Sequence, residues 1–109
     1  MNIHIGDCRG GKVVAISGEI DMYSSPELRE QMMNLIGQRI SNMLIDFRQV
    51  SYIDSSGIAT FVEGLKSMKN YGGRLRFFGI PQGIMEIFSF SKLDRVFEIY
   101  GNIDDAINS

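Results

Sequence analysis

MLIDFRQVSYIDSSGIATFVEGLKS, Met43 to Ser67, contains a change of period. From Asn42 to Phe47, the residues after Asn42 form an apolar run broken only by Asp46. Such a run predicts a central strand, Met43 to Phe47, covered on both faces. Beyond a short connection, Ile58, Phe61, Val62, Leu65 and Met68 recur at steps of three and four, which predicts a helix with one apolar face. Asp54-Ser55-Ser56-Gly57 therefore stands at the start of that helix. Ser and Asp suit this place because their side-chain oxygens accept bonds from the unpaired N–H groups of a first turn. One serine is expected as the N-cap. The other then keeps a free hydroxyl in a field that favours negative charge. Gly57, lacking a side chain, would let a partner approach the backbone closely. On local chemistry alone, the same four residues also fit a plain strand-to-helix corner.

Before this stretch, Asn2 to Arg9 alternates Ile3 and Ile5 with polar neighbours, Gly10-Gly11 signals a hairpin, and Lys12 to Ser17 is rich in β-branched residues. This pair is expected to be antiparallel. Gly18-Glu19-Ile20-Asp21 closes the second strand. Ser25-Pro26-Glu27 then reads as N-cap, first helical residue and first-turn acid. Leu28, Met32, Leu35 and Ile36 form the core-facing stripe of that helix, which Gly37 weakens at its end, and its methionines fill gaps.

After the stretch, the second helix runs to about Tyr71, where Gly72-Gly73 breaks it. Arg74 to Phe78 alternates Leu75 and Phe77 with Arg74 and Arg76, as a strand would. Pro81 precedes a short helix whose apolar face is Ile84, Ile87 and Phe88. Leu93 reads as linker, Val96 to Tyr100 as a last strand, and Asn102 to Ile107 as a terminal helix. The order β-β-α-β-α-β-α-β-α predicts an α/β fold: a mixed, mostly parallel sheet of four to five strands with helices packed on it. One domain is expected to span residues 1–109. Loops that follow parallel strands gather at one sheet edge, so the Gly18–Ser25 loop and the Asp54–Gly57 corner should be neighbours.

Composition narrows the function. With 11 basic and 13 acidic residues, a net charge of −2 offers no electrostatic footprint for nucleic acid. No run of about 20 apolar residues predicts a membrane span, and the N-terminus lacks a signal-peptide layout, so a cytosolic location is expected. A single cysteine, Cys8, allows neither an internal disulfide nor a multi-cysteine zinc site. No glycine-rich phosphate loop is present, and no cofactor is expected. Catalysis by Ser55 or Ser56 would need an activating base. His4, on the opening strand, is the one histidine, and Lys66 and Lys69 lie well past the corner. The chain does not read as an enzyme.

Gly18-Glu19-Ile20-Asp21 and Ser25-Pro26-Glu27-Leu28, together with Ile53-Asp54-Ser55-Ser56-Gly57-Ile58, resemble the STAS family, specifically the bacterial anti-sigma factor antagonists. Asn70-Tyr71-Gly72-Gly73 and Ile84-Met85-Glu86-Ile87-Phe88 extend the resemblance over nearly the whole chain. It implies a partner switch. The unmodified antagonist binds an anti-sigma factor that is also a serine kinase and so frees a sigma factor. Phosphorylation on the serine after the Asp, here Ser55, ends binding, and a serine phosphatase restores it. Asp54, Ser56 and Gly57 would shape the corner, with Asp21 and Ser24 as partner contacts in the adjacent loop. STAS modules also serve as docking parts of stress-sensing scaffolds and lipid-transport accessory complexes, which is the alternative reading.

Overall fold

The computed structural model describes all 109 residues. The elements are β1 (Asn2–Cys8), β2 (Gly11–Ile20), α1 (Ser25–Gly37), β3 (Asn42–Ile53), α2 (Ser55–Lys69), β4 (Arg74–Phe78), α3 (Gln82–Phe90), a 3₁₀ turn (Leu93–Arg95), β5 (Glu98–Tyr100) and α4 (Ile103–Ile107). The five strands lie in sequence order. β1 is antiparallel to β2, and each later strand is parallel to its predecessor. Because every parallel crossover steps in the same direction, right-handed connections put α1, α2 and α3 on one face. Core membership agrees. Leu28 and Met32 of α1, Phe61 and Leu65 of α2, and Ile84 and Phe88 of α3 share one cluster with Val14, Ile45 and Phe77 of the sheet. α4 covers part of the opposite face, where Ala106 packs on Leu44 and Phe78.

At the centre of the larger cluster, Phe47, Phe61, Phe77, Phe88 and Phe97 contact one another with ring centroids 4.7–6.1 Å apart. Tilted and edge-on ring pairs of this kind add about 0.5–1.5 kcal/mol each beyond area burial.

Two local expectations are corrected. β3 does not stop at Phe47 but continues to Ile53. Two register shifts against β2, between Ala15 and Ser17 and between Gly18 and Glu19, each leave an extra residue in β3. Its inward residues there are Phe47, Val50 and Ile53, spaced by three. Bulges break the two-residue period by which a strand is recognised, so by pattern alone this half reads as a connection. Arg76, which alternates with Leu75 and Phe77 along β4, is itself only 6% exposed. α4 and β5 cover this side of β4, and the Glu98 carboxylate lies 4.0 Å from the Arg76 guanidinium. Finally, α1 begins at Ser25, with Ser24 in the capping position and Pro26 one residue further in than expected.

Candidate functional site

The bulged end of β3 delivers Asp54 to the edge where β2 also ends. Asp54 N–H donates to Ile20 C=O at 3.1 Å, tying the two strand ends together. Its backbone is extended, at φ −113° and ψ −173°, and its side chain caps α2. One oxygen, Oδ1, accepts from Ser56 N–H at 2.9 Å, Gly57 N–H at 3.3 Å and the Ser56 hydroxyl at 2.5 Å. The expectation that a serine caps this helix is thereby corrected. The carboxylate is the stronger acceptor, and the residue with extended backbone is Asp54.

Ser55 and Ser56 consequently differ. Ser56 is half-buried and its hydroxyl is committed to Asp54. Ser55 occupies the first helical position, is exposed, and takes no part in the cap. The hydrogen bond from Ser56 Oγ, ahead of those from the Gly57 and Ser56 amides, holds the Asp54 carboxyl below the usual carboxylate range against an opposing effect of desolvation. The backbone bond from Asp54 to Ile20 sets the corner beside the loop that follows β2. This is the adjacency expected of two loops that follow parallel strands.

That neighbouring loop is held by reciprocal bonds. Asp21 Oδ1 accepts from Tyr23 N–H at 2.9 Å and Ser24 N–H at 3.0 Å. The Ser24 hydroxyl accepts from Asp21 N–H and donates to Glu19 C=O, both at 2.9 Å. Asp21 and Ser24 thus set the loop's shape from within. Met22 and Tyr23 project from its tip, 65% and 87% exposed. Beside it, Glu19, Asp21, Tyr23, Ser24 and Glu27 line a shallow cleft with Met1. With Asp54 next to it, the corner is acidic.

Gly57 is buried, and its missing side chain is used inwards. A Cβ there would lie 2.7 Å from Ile20 Cγ2 and 2.8 Å from Ile53 Cγ1. The first turn of α2 can sit on the two strand ends only without that atom. On the outer side of α2, Ile58 and Val62 are half-buried rather than fully packed, and with Ser55, Ala59, Glu63 and Lys66 they border an open groove. The periodicity of α2 counted both as core. Met22 and Tyr52 (48% exposed) also stand at this edge. Neither was singled out from sequence, where an exposed Met or Tyr has the same signature as a core one.

Two further placements bear on chemistry. His4 is exposed on β1, opposite Ala15, while its neighbours Ile3 and Ile5 face the helices, so it points away from the α2 side. No group of three or more His, Cys, Asp and Glu residues is placed to hold a metal ion, and no helix is long and apolar enough to cross a membrane.

The sequence model of the STAS domain matches residues 3–106. The anti-sigma-B factor antagonist of Bacillus subtilis is 32% identical over 107 residues, which span 98% of this chain and 97% of that protein. The fold matches the crystal structure of an anti-sigma factor antagonist from Mycobacterium paratuberculosis with a TM-score of 0.89, at 23% identity, over 98% of this chain and 91% of that one. It also matches the Bacillus cell fate determinant SpoIIAA in its phosphorylated form, with a TM-score of 0.76, at 20% identity, over 98% and 97% of the two chains.

Proposed function

Because this chain belongs to the STAS domain family, we propose that it is an anti-sigma factor antagonist switched by phosphorylation of Ser55. In the unmodified state it binds an anti-sigma factor serine kinase, which then lets go of a sigma factor. The kinase transfers a phosphoryl group to Ser55, binding is lost, and a serine phosphatase resets the protein. The chain's part is recognition, not catalysis.

One observation carries this reading: Ser55 offers an exposed, uncommitted hydroxyl at the junction of two loops whose shapes are already set. In the proposed interface Asp21 and Ser24 present the loop to the partner, while Asp54, Ser56 and Gly57 shape the corner around Ser55. The curated relative in Bacillus subtilis bears the antagonist's name, and a phosphorylated protein of the same fold is known; both support the proposal.

Energetics favour a change of affinity over a change of fold. A phosphoserine adds a charge of about −1.5 to −2. At a helix N-terminus that charge gains about 0.3–1 kcal/mol from the helix dipole. Here Asp54 already takes the Ser56 and Gly57 amides, so less of that gain is available. An interface obliged to bury the new charge beside Asp54 and Asp21 stands to lose several kcal/mol, about tenfold in affinity for every 1.4 kcal/mol. The interface term is the larger.

The test is incubation with the host's anti-sigma serine kinases and MgATP, followed by mass spectrometry. One phosphoryl group on Ser55, absent from Ser55→Ala, is the expected result, together with at least tenfold weaker binding of the modified protein. Unchanged affinity after modification contradicts the switch. If no host kinase modifies the chain, the docking-module reading takes its place.

A further inference from the structure

Two adjacent serines share the corner, and a kinase that reaches one comes within a residue of the other. We infer that Asp54 determines which serine is modified, by holding the Ser56 hydroxyl inside its own helix cap. This rests on the reading of Ser55 as phosphoacceptor, and adds to it a positioning residue that enforces the choice.

Phosphoryl transfer needs a hydroxyl oxygen in line with the terminal phosphorus of a nucleoside triphosphate. The Oγ–P bond forms while the bond from phosphorus to the bridging oxygen breaks. The nucleoside diphosphate leaves with that electron pair, and the hydroxyl proton passes to a base on the kinase or to water. Ser55 Oγ meets the first requirement, being exposed and outside the cap. Ser56 Oγ does not. Its proton is directed to Asp54 Oδ1 at 2.5 Å, and its side chain is half-buried against the corner. To react, Ser56 must break a charge-assisted bond and turn outward.

A carboxylate bound to a hydroxyl could instead activate it. Here the same oxygen also accepts the Ser56 and Gly57 amides. Those bonds, with the one from Ser56 Oγ, hold the carboxyl below its ordinary range and make it a weak base. Asp54 therefore restrains Ser56 rather than arming it. Backbone structure adds to the restraint, because Ser56 C=O accepts the Thr60 hydroxyl at 3.0 Å and ties this residue into the second turn.

The experiment maps phosphorylation sites by tandem mass spectrometry after reaction with the anti-sigma serine kinase and MgATP. The wild-type chain should carry the group on Ser55 alone, and Ser55→Ala should stay unmodified. Asp54→Ala should make Ser56 a second modified site, because the hydrogen bond to a charged group that its hydroxyl loses is worth about tenfold or more. Asp54→Asn, whose side-chain carbonyl can still accept from Ser56, should retain selectivity for Ser55. Exclusive Ser55 modification in both wild type and Asp54→Ala overturns this inference and leaves the phosphoacceptor reading intact. An unmodified wild-type chain overturns both. Because Asp54→Ala removes a cap, a second readout uses variants that retain Asp54. In a carbon-detected NMR titration, Ser56→Ala should move the Asp54 carboxyl upward, while Ser55→Ala should not. An unmoved Asp54 in Ser56→Ala overturns the inference.

Discussion

Ser55 and Ser56 have identical side chains and adjacent backbones, yet one hydroxyl is free and the other is bound. The difference arises from Asp54, whose extended backbone turns its carboxylate back over the first turn of α2. The motif Asp54-Ser55-Ser56-Gly57 was legible in the sequence as a helix start. Which residue caps was not legible, because Asp and Ser both serve as caps and only backbone dihedrals distinguish them. Gly57 likewise depends on the fold around it. From sequence its bare Cα suggested outward access, whereas the structure shows it seated on Ile20 and Ile53. Adding a methyl by Gly57→Ala should crowd those side chains at about 1–3 kcal/mol, against a gain in helix propensity of at most about 1 kcal/mol. Crowding wins, so urea denaturation should show a lower midpoint with an unchanged slope. A raised midpoint would mean that Ile20 and Ile53 move aside freely.

Among the elements, β3 decides most. Its first half was readable because apolar residues fill it but for Asp46. Its second half was hidden by two bulges, which shift the inward residues to Val50 and Ile53. Those bulges let the strand reach the β2 end and deliver Asp54 to the loop beside it. The helices are held to the sheet by the phenylalanine cluster, with Phe77 of β4 in contact with Phe47, Phe61, Phe88 and Phe97. Phe77→Ala should therefore cost about 3–5 kcal/mol. Phe90, 94% exposed at the end of α3, is the internal control: Phe90→Ala should change stability by no more than about 0.5 kcal/mol. Chemical denaturation of both variants checks the contrast. Equal losses would mean that Phe90 packs in solution.

Across the whole molecule, charges on the face opposite α1–α3 link stability to pH. Burial pushes the Asp46 carboxyl upward, but hydrogen bonds from the Arg48 side chain and backbone outweigh it and hold the carboxyl below its ordinary value. The hydrogen bond from Arg74 lowers Glu98, with smaller help from Tyr100 and Arg76. Both carboxylates thus have lower values folded than unfolded, where Asp and Glu titrate near about 3.9 and 4.3. Their contribution is complete above those unfolded values and is lost as pH falls through the lowered folded ones. Urea midpoints should be flat from pH 7 to about 5 and decline below about 4. Asp46→Asn should lower the neutral plateau and make the acid decline shallower. An acid decline as steep as that of the wild type would exclude Asp46 from it.

By itself the sequence determined the order of elements, the parallel sheet behind an opening hairpin, and the identity of the corner. Those depend on hydrophobic period and on residue chemistry at helix starts, both of which act between near neighbours. Tertiary structure alone decided which oxygen caps α2, that Gly57 faces inward, that Arg76 is covered, and that Ile58 and Val62 border a groove. Each of these depends on how the fold sets a residue's backbone or what it places opposite its side chain: the extended dihedrals at Asp54, the strand ends under Gly57, and α4 and Glu98 over Arg76.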